Sequence, residues 1–415
     1  MPTLEPLVES KPLHAFAGYG IELEYMIVDR KNLSARALAD TLLKDEAGQV
    51  VNEIEHGALA WSNELVLHVV ELKTNGPAAG LDGLADLFHD SVLQIGDRLK
   101  ACNAQLLPTA MHPLFDPARE TRLWPYGQDE IYRAYDRIFG CRGHGWSNLQ
   151  SMHINLPFFD DEEFRRLHAA IRVVLPLIPA LSAASPLEQG RPSGWLDNRL
   201  KYYRDNQKAI PEISGLVVPE SVAGIEEYRQ TILAPMYQAI APHDPDEILA
   251  DDWLNSRGAI ARFERQTIEI RIIDLQECPA ADLAIAEAVV TLVQAFYDET
   301  LASFADQQAV PTAALAAQLW QCARQGSQAS IDCIPLLKLF GQTGDMTGAE
   351  CWQRLLDRGL NISRQATAVL ERIIRRGSLA EAIVGTVGID PSRSAILDCY
   401  RELSSCLAGN RLFER

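Results

Sequence analysis

Among the 415 residues there is no CxxC pair, no excess of positive charge and no long unbroken apolar run. Each absence excludes a class of protein. The eight cysteines, at 102, 141, 278, 322, 333, 351, 399 and 406, are scattered. They read as reduced thiols and not as a disulfide framework or a zinc ribbon. Lys and Arg total 38 against 56 Asp and Glu, a formal charge of −18. A nucleic-acid footprint needs clustered cations, so no nucleic-acid partner is expected. Met1 to Gly20 holds Glu5, Glu9 and Lys11 and no apolar core of the signal-peptide kind,. The longest apolar stretch, Ala169 to Ala184, is broken by Arg172, Pro176 and Pro179. That excludes a spanning helix there, which takes ~20 residues. A cytoplasmic protein without a membrane partner is expected.

Common catalytic signatures are missing as well. The chain has no GxxxxGK[ST] phosphate loop, no GxGxxG after a strand, no HExxH and no GxSxG,. What is present is a set of β-like runs carrying charge. Gly18 to Asp29 alternates after two glycines, Glu64 to Thr74 is apolar up to Asn75-Gly76-Pro77, and Gln150–Phe158 and Gln266–Asp274 are further strand candidates,. Helical periodicity covers Leu81 to Gln105 and Glu162 to Leu175, and then 281–304, 312–324, 347–358 and 364–376,. Strands with irregular connections, followed by helices, predict an α+β fold and not a doubly wound parallel sheet. A domain of residues 14–300 and a helical C-terminal region of 301–415 packed on it are expected.

Parity on these strands places the charges. In one strand Glu22 and Glu24 share a face, while Ile21, Leu23, Tyr25 and Ile27 take the other,. Two carboxylates ~7 Å apart on one face repel each other unless a cation lies between them, and oxygen ligands suit Mg²⁺ or Mn²⁺. The bland alternative is a solvated face of a half-wet sheet. His153 and Asn155 share a face in SMHINLP, where a histidine is a metal ligand only if carboxylates converge on it,. In TIEIRIID, Ile268, Ile270 and Ile272 face one way, and Glu269, Arg271 and Ile273 the other. A Glu on a metal with an Arg on phosphate would suit that pattern, as would an exposed ion pair. Glu71 sits in an apolar run and needs compensation,. Glu64 has odd spacing from Glu71, so both reach one site only if Glu64 belongs to the entering loop or a bulge intervenes.

In this order the pieces GIELEY (20–25), ELVLHVVELKT (64–74), MHP (111–113), SMHINLPF (151–158), LPLIPALSAASPLEQGRPSGWLDNR (175–199) and RFERQTIEIRIID (262–274) resemble the glutamate–cysteine ligase family. The likeness is to its second, bacterial and plant-type branch of carboxylate–amine ligases, and spans about residues 16–300. It implies a curved, mainly antiparallel sheet of the glutamine-synthetase type with flanking helices. It also implies ATP-dependent amide formation through an acyl-phosphate, on the γ-carboxylate of glutamate with cysteine or another amine as acceptor. By the same resemblance, Glu24, Glu64 and Glu71 would hold one Mg²⁺ or Mn²⁺, and Glu22, His153 and Glu269 another. Glu269 and Arg271 would be catalytic, Arg271 and Arg262 would contact the nucleotide's phosphate, and Arg199 the substrate's carboxylate. Small-molecule amino acid and amine substrates are the expected partners, and homo-oligomerisation stays open. A guanidino or carboxylate kinase of the same fold and a non-catalytic nucleotide or amino-acid sensor are the alternatives.

Overall fold

The computed structural model describes residues 12–127, 129–342 and 344–414. The N-terminal residues 1–11, part of the segment read above as lacking a signal sequence, lie outside the described residues. An eight-stranded sheet forms the centre, and every pairing in it is antiparallel. Its strands are β1 (Gly20–Asp29), β2 (Glu53–His56), β3 (Leu59–Asn63), β4 (Val69–Thr74), β5 (Ala104–Leu107), β6 (Ser151–Pro157), β7 (Ala259–Arg262) and β8 (Thr267–Asp274). The order across the sheet is β2-β3-β4-β1-β6-β8-β7, with β5 pairing the far half of β1. β2 and β7 are the edges of this path, and β2 (EIEH) carries charge at every second residue, which discourages further pairing,.

The period-two pattern of β1 sorts its residues into two separate cores. Ile21, Leu23, Tyr25 and Ile27 join Trp61, Leu72, Ile154 and Ile270 on one face. That face is covered by α1 (Leu84–Lys100) with Phe88, Val92 and Ile95, and by α3 (Asp161–Val174) with Phe164 and Leu167; between them in the chain lies α2 (Asp129–Phe139). The long helix Pro279–Tyr297 lies among α1, α3 and the helix Arg364–Arg376. It is the one described helix long and apolar enough to cross a membrane, but two-thirds of it is buried inside the protein. On the opposite face Met26 and Val28 join Leu107 and Phe115 with Ile383, Ile396, Tyr400 and Leu403 of the last two helices. The chain's C-terminal helices therefore close one end of the face that carries Glu22 and Glu24. Beyond that end the face is polar.

Three expected elements differ. The helix expected over 281–304 runs Pro279–Tyr297. The apolar run 64–74 is not one strand: residues 64–68 form the connection from β3, and β4 begins at Val69. The helix expected to Gln105 stops at Lys100, and Ala104–Leu107 forms β5, because the left-handed Asn103 (φ 53°) turns the chain,.

Candidate active site

Register brings the expected side chains together. Glu24 lies directly opposite Glu71, and Glu22 opposite Lys73 on one side and His153 on the other. Glu269 lies opposite Asn155, one step diagonal to His153,. His153 Nδ1 is 2.9 Å from Glu22 Oε2 and 3.6 Å from Glu269 Oε1, and its Nε2 is 3.7 Å from Glu24 Oε1. Two groups of possible ligand atoms result: Glu22, His153 and Glu269, and Glu24, Glu71 and His153, with the atoms of each within 4.8 Å of one another. Glu64 follows the last residue of β3, as the loop alternative required, and lines a cavity beside Glu24. It is not within either group.

A bulge sets the arginine. Ile270 pairs with Ile154 and Ile273 with Met152, so three steps on β8 span two on β6. The extra residue brings Ile273 back to the core face, in contrast to the parity expectation that it shares Arg271's face,. Arg271 stands at this bulge, with its Nε 2.9 Å from Glu269 Oε1 in an ion pair whose N–H is not aimed at that oxygen. Arg262, in the edge strand β7, donates from Nη1 to Glu269 Oε2 at 3.1 Å and from Nε to Asp252 at 2.9 Å. Glu269 thus holds two guanidinium groups on one carboxylate.

The electrostatics show a surplus of negative charge. Burial pushes Glu22 up, but its hydrogen bond to His153 and the charges of His153, Arg265 and Lys73 outweigh this and hold it at about 2. His153 is moved down by burial but raised on balance by Glu22, Glu24 and Glu269. Burial and the charge of Glu22 push Glu71 up to about 7, although Lys73 and the Ser62 hydroxyl oppose this. Burial, with the charges of Glu24 and Glu71, raises Glu64 far above the carboxylate range. Carboxylates forced toward protonation on a face that also holds ionised ones are what a divalent cation relieves. The donor set, carboxylate oxygens with one imidazole, fits Mg²⁺ or Mn²⁺.

Two cavities open on this face. One, of about 500 Å³, is bordered by Glu22, Lys73, Tyr19, Asn75, Arg265 and Thr267. The other, of about 410 Å³, is bordered by Glu24, Glu64, His153, Arg262 and Arg271, with tyrosines and tryptophans above them. Arg199, expected at a substrate carboxylate, also borders the second cavity but is only 1% exposed. It sits in the first turn of α4 (Asn198–Asp205), which Asp197 caps by accepting Leu200 N–H at 2.8 Å. There it is committed to Asp274, an acidic partner not anticipated in the sequence.

Sequence reasoning also missed Ser62, which donates to Glu71 at 2.5 Å, and Ser151, whose N–H and hydroxyl donate to Glu24 at 2.7 and 3.0 Å. Ser151 was legible, being two residues before His153 on the same face. Ser62 was not, because β3 carries no charged signal.

Residues 19–386 match the family glutamate–cysteine ligase family 2 (GCS2). Relatives include a protein of Archaeoglobus fulgidus described as uncharacterized, 33% identical, with 95% of this chain and 99% of that protein covered. A Bradyrhizobium protein provisionally named glutamate–cysteine ligase 2 is 26% identical over 81% of this chain and 74% of its own. The crystal structure of Francisella tularensis glutamate–cysteine ligase in complex with AMP is similar with a TM-score of 0.60 at 14% identity, covering 97% of this chain and 90% of that one. Fold and site therefore define a protein of the glutamate–cysteine ligase-like class. Within that class the chain belongs to glutamate–cysteine ligase family 2.

Proposed function

We propose that this protein is an ATP-dependent carboxylate–amine ligase that forms an amide through an acyl-phosphate, with the γ-carboxylate of glutamate as the donor. The observation that carries this reading is the convergence of Glu22, Glu24, Glu71, His153 and Glu269 from four strands on one sheet face, with Arg262 and Arg271 paired to Glu269. Family membership supports it. The AMP complex of the similar Francisella ligase agrees with a nucleotide site.

Glu22, His153 and Glu269 would hold one Mg²⁺ or Mn²⁺, and Glu24, Glu71 and Glu64 another. Bound there, the ions would supply the charge neutralisation that lets a carboxylate approach a terminal phosphate. The chain's own groups do the positioning. Glu269 fixes both guanidiniums, so their outward N–H groups are set to bind the oxygens of the transferred phosphoryl group. Ser151 and Ser62 hold the Glu24 and Glu71 carboxylates in place. The 500 Å³ cavity, with Lys73 and Arg265 at its border, suits the nucleotide, and the 410 Å³ cavity suits the carboxylate and the amine. Tyr132, Tyr135 and Trp253 above the second cavity would keep water from an acyl-phosphate, which hydrolyses readily,.

The test is direct: purified protein with ATP, Mg²⁺ and glutamate, with and without an amine, followed by phosphate assay and mass spectrometry. Amine-dependent phosphate release with an amide product is expected. Phosphate release indifferent to every amine and amino acid tried would refute the reading.

A further inference from the structure

The 410 Å³ cavity has a charged floor and an aromatic roof. Its roof comes from the helix Asp129–Phe139, which contributes Ile131, Tyr132 and Tyr135, and from Trp146 and Trp253. Tyr135 is the hub, its ring centroid 5.1 Å from that of Trp146 and 5.9 Å from that of Trp253. The three rings thus brace one another as a fixed apolar surface, not as separate mobile side chains. A thiol the size of cysteine's would leave most of such a surface uncovered, whereas a ring would stack on it.

The cations point the same way. Among the described residues three arginines and no lysine border the cavity, and each arginine is already paired with an acid: Arg199 with Asp274, Arg262 with Asp252 and Glu269, Arg271 with Glu269. On the reading proposed above, the outward N–H groups of Arg262 and Arg271 are used by the transferred phosphoryl group. An acceptor bringing a carboxylate of its own, as an amino acid does, would place it without a further cation, and a desolvated carboxylate without a partner is strongly disfavoured. Tyr132, by contrast, offers a π-face to an ammonium group,.

We infer that the acceptor is an arylalkylamine: a primary amine with an aromatic or comparably broad apolar body and no carboxylate. This inference rests on the ligase reading. The ammonium gives one proton to solvent, and its nitrogen lone pair then attacks the acyl carbon. A C–N bond forms, the bond from that carbon to the phosphate oxygen breaks, and phosphate departs with the electron pair and the second nitrogen proton.

The experiment compares phenethylamine, cysteine and hydroxylamine as acceptors with ATP, Mg²⁺ and glutamate, scoring products by mass spectrometry. Hydroxylamine is small enough to trap an acyl-phosphate without the roof. Expected are a hydroxamate with hydroxylamine and a phenethylamide formed with kcat/KM at least ~10-fold above that for cysteine, since a few buried methylene-sized groups discriminate by about this much. Trp253→Ala should lower the ratio of phenethylamine to hydroxylamine turnover by a similar factor. Hydroxamate formation with cysteine preferred to phenethylamine would overturn the acceptor class and leave the ligase reading standing. Failure of the wild type with all three acceptors would remove both. If Trp253→Ala does not fold, the wild-type ranking of the amines decides alone.

Discussion

Asp274 Oδ1 accepts a hydrogen bond from Arg199 Nε at 2.6 Å, and both side chains are almost wholly buried. Asp274 Oδ2 accepts from Ala184 N–H and the Ser185 hydroxyl, and Arg199 Nη2 donates to the Arg271 carbonyl at 3.3 Å. The pair thus links α4 and the loop 183–185 to the bulge from which Arg271 projects. Removing one partner of such a pair leaves a buried charge unmatched, at a cost of roughly 3–5 kcal/mol. Asp274→Ala is expected to lose about that much in urea unfolding. Arg199→Lys, which keeps the charge but cannot span both partners, is expected to lower kcat with little change in KM for glutamate. A raised KM at unchanged kcat would instead make Arg199 a substrate contact.

Glu269 holds Arg262 and Arg271 and faces His153. Glu269→Gln keeps the shape and removes the charge that pairs both guanidiniums, leaving Arg262 to Asp252 alone. Amide formation should fall by roughly 10²–10³-fold, the range seen when a preorganised electrostatic group is removed from a reacting site. Nucleotide affinity, read by calorimetry with ADP, should change far less. Turnover equal to wild type would exclude Glu269 from the reaction.

How much of this was readable in the chain depends on where the signal lay. Strand parity put Glu22 and Glu24 on one face, and the register with Glu71 and His153 bears that geometry out. The cross-strand distances themselves are set by tertiary pairing, which a single sequence does not carry. Parity failed at Ile273, because the bulge after Ile270 changes which residue faces inward without altering the apolar pattern. The strands Glu53–His56, Leu59–Asn63 and Ala259–Arg262 were missed, being short and lacking a long alternating run. The aromatic roof was invisible for another reason. Trp253 lies far from Tyr135 and Trp146 in sequence, and the three rings meet only through tertiary packing.

A divalent cation should stabilise the folded protein, since it binds the native carboxylate cluster and not the dispersed acids of the unfolded chain. At a hundred times its dissociation constant, Mg²⁺ or Mn²⁺ contributes about 2.7 kcal/mol. The melting temperature should therefore rise with added Mg²⁺ and fall again with EDTA. In Glu22→Gln/Glu24→Gln the rise should vanish. An equal rise in that variant would place the cation elsewhere.

His168 is fully buried against Phe164 and Tyr228, and neither ring nitrogen has a hydrogen-bond partner among the described residues. Burial, with the charges of Arg172 and Arg257, lowers its pKa to about 3. The folded protein keeps this histidine neutral, while the unfolded chain takes up a proton below about pH 6.5. Its contribution to stability is therefore intact above that pH and is lost progressively as the pH falls toward 3. His168→Leu removes the titration and leaves no polar atom in the apolar site. Measured by urea unfolding, the stability of the variant relative to wild type should improve by about 2 kcal/mol between pH 7 and pH 5, at 1.36 kcal/mol per unit of pKa difference. A difference that stays constant over that interval would mean that His168 titrates in the fold as it does in the unfolded chain.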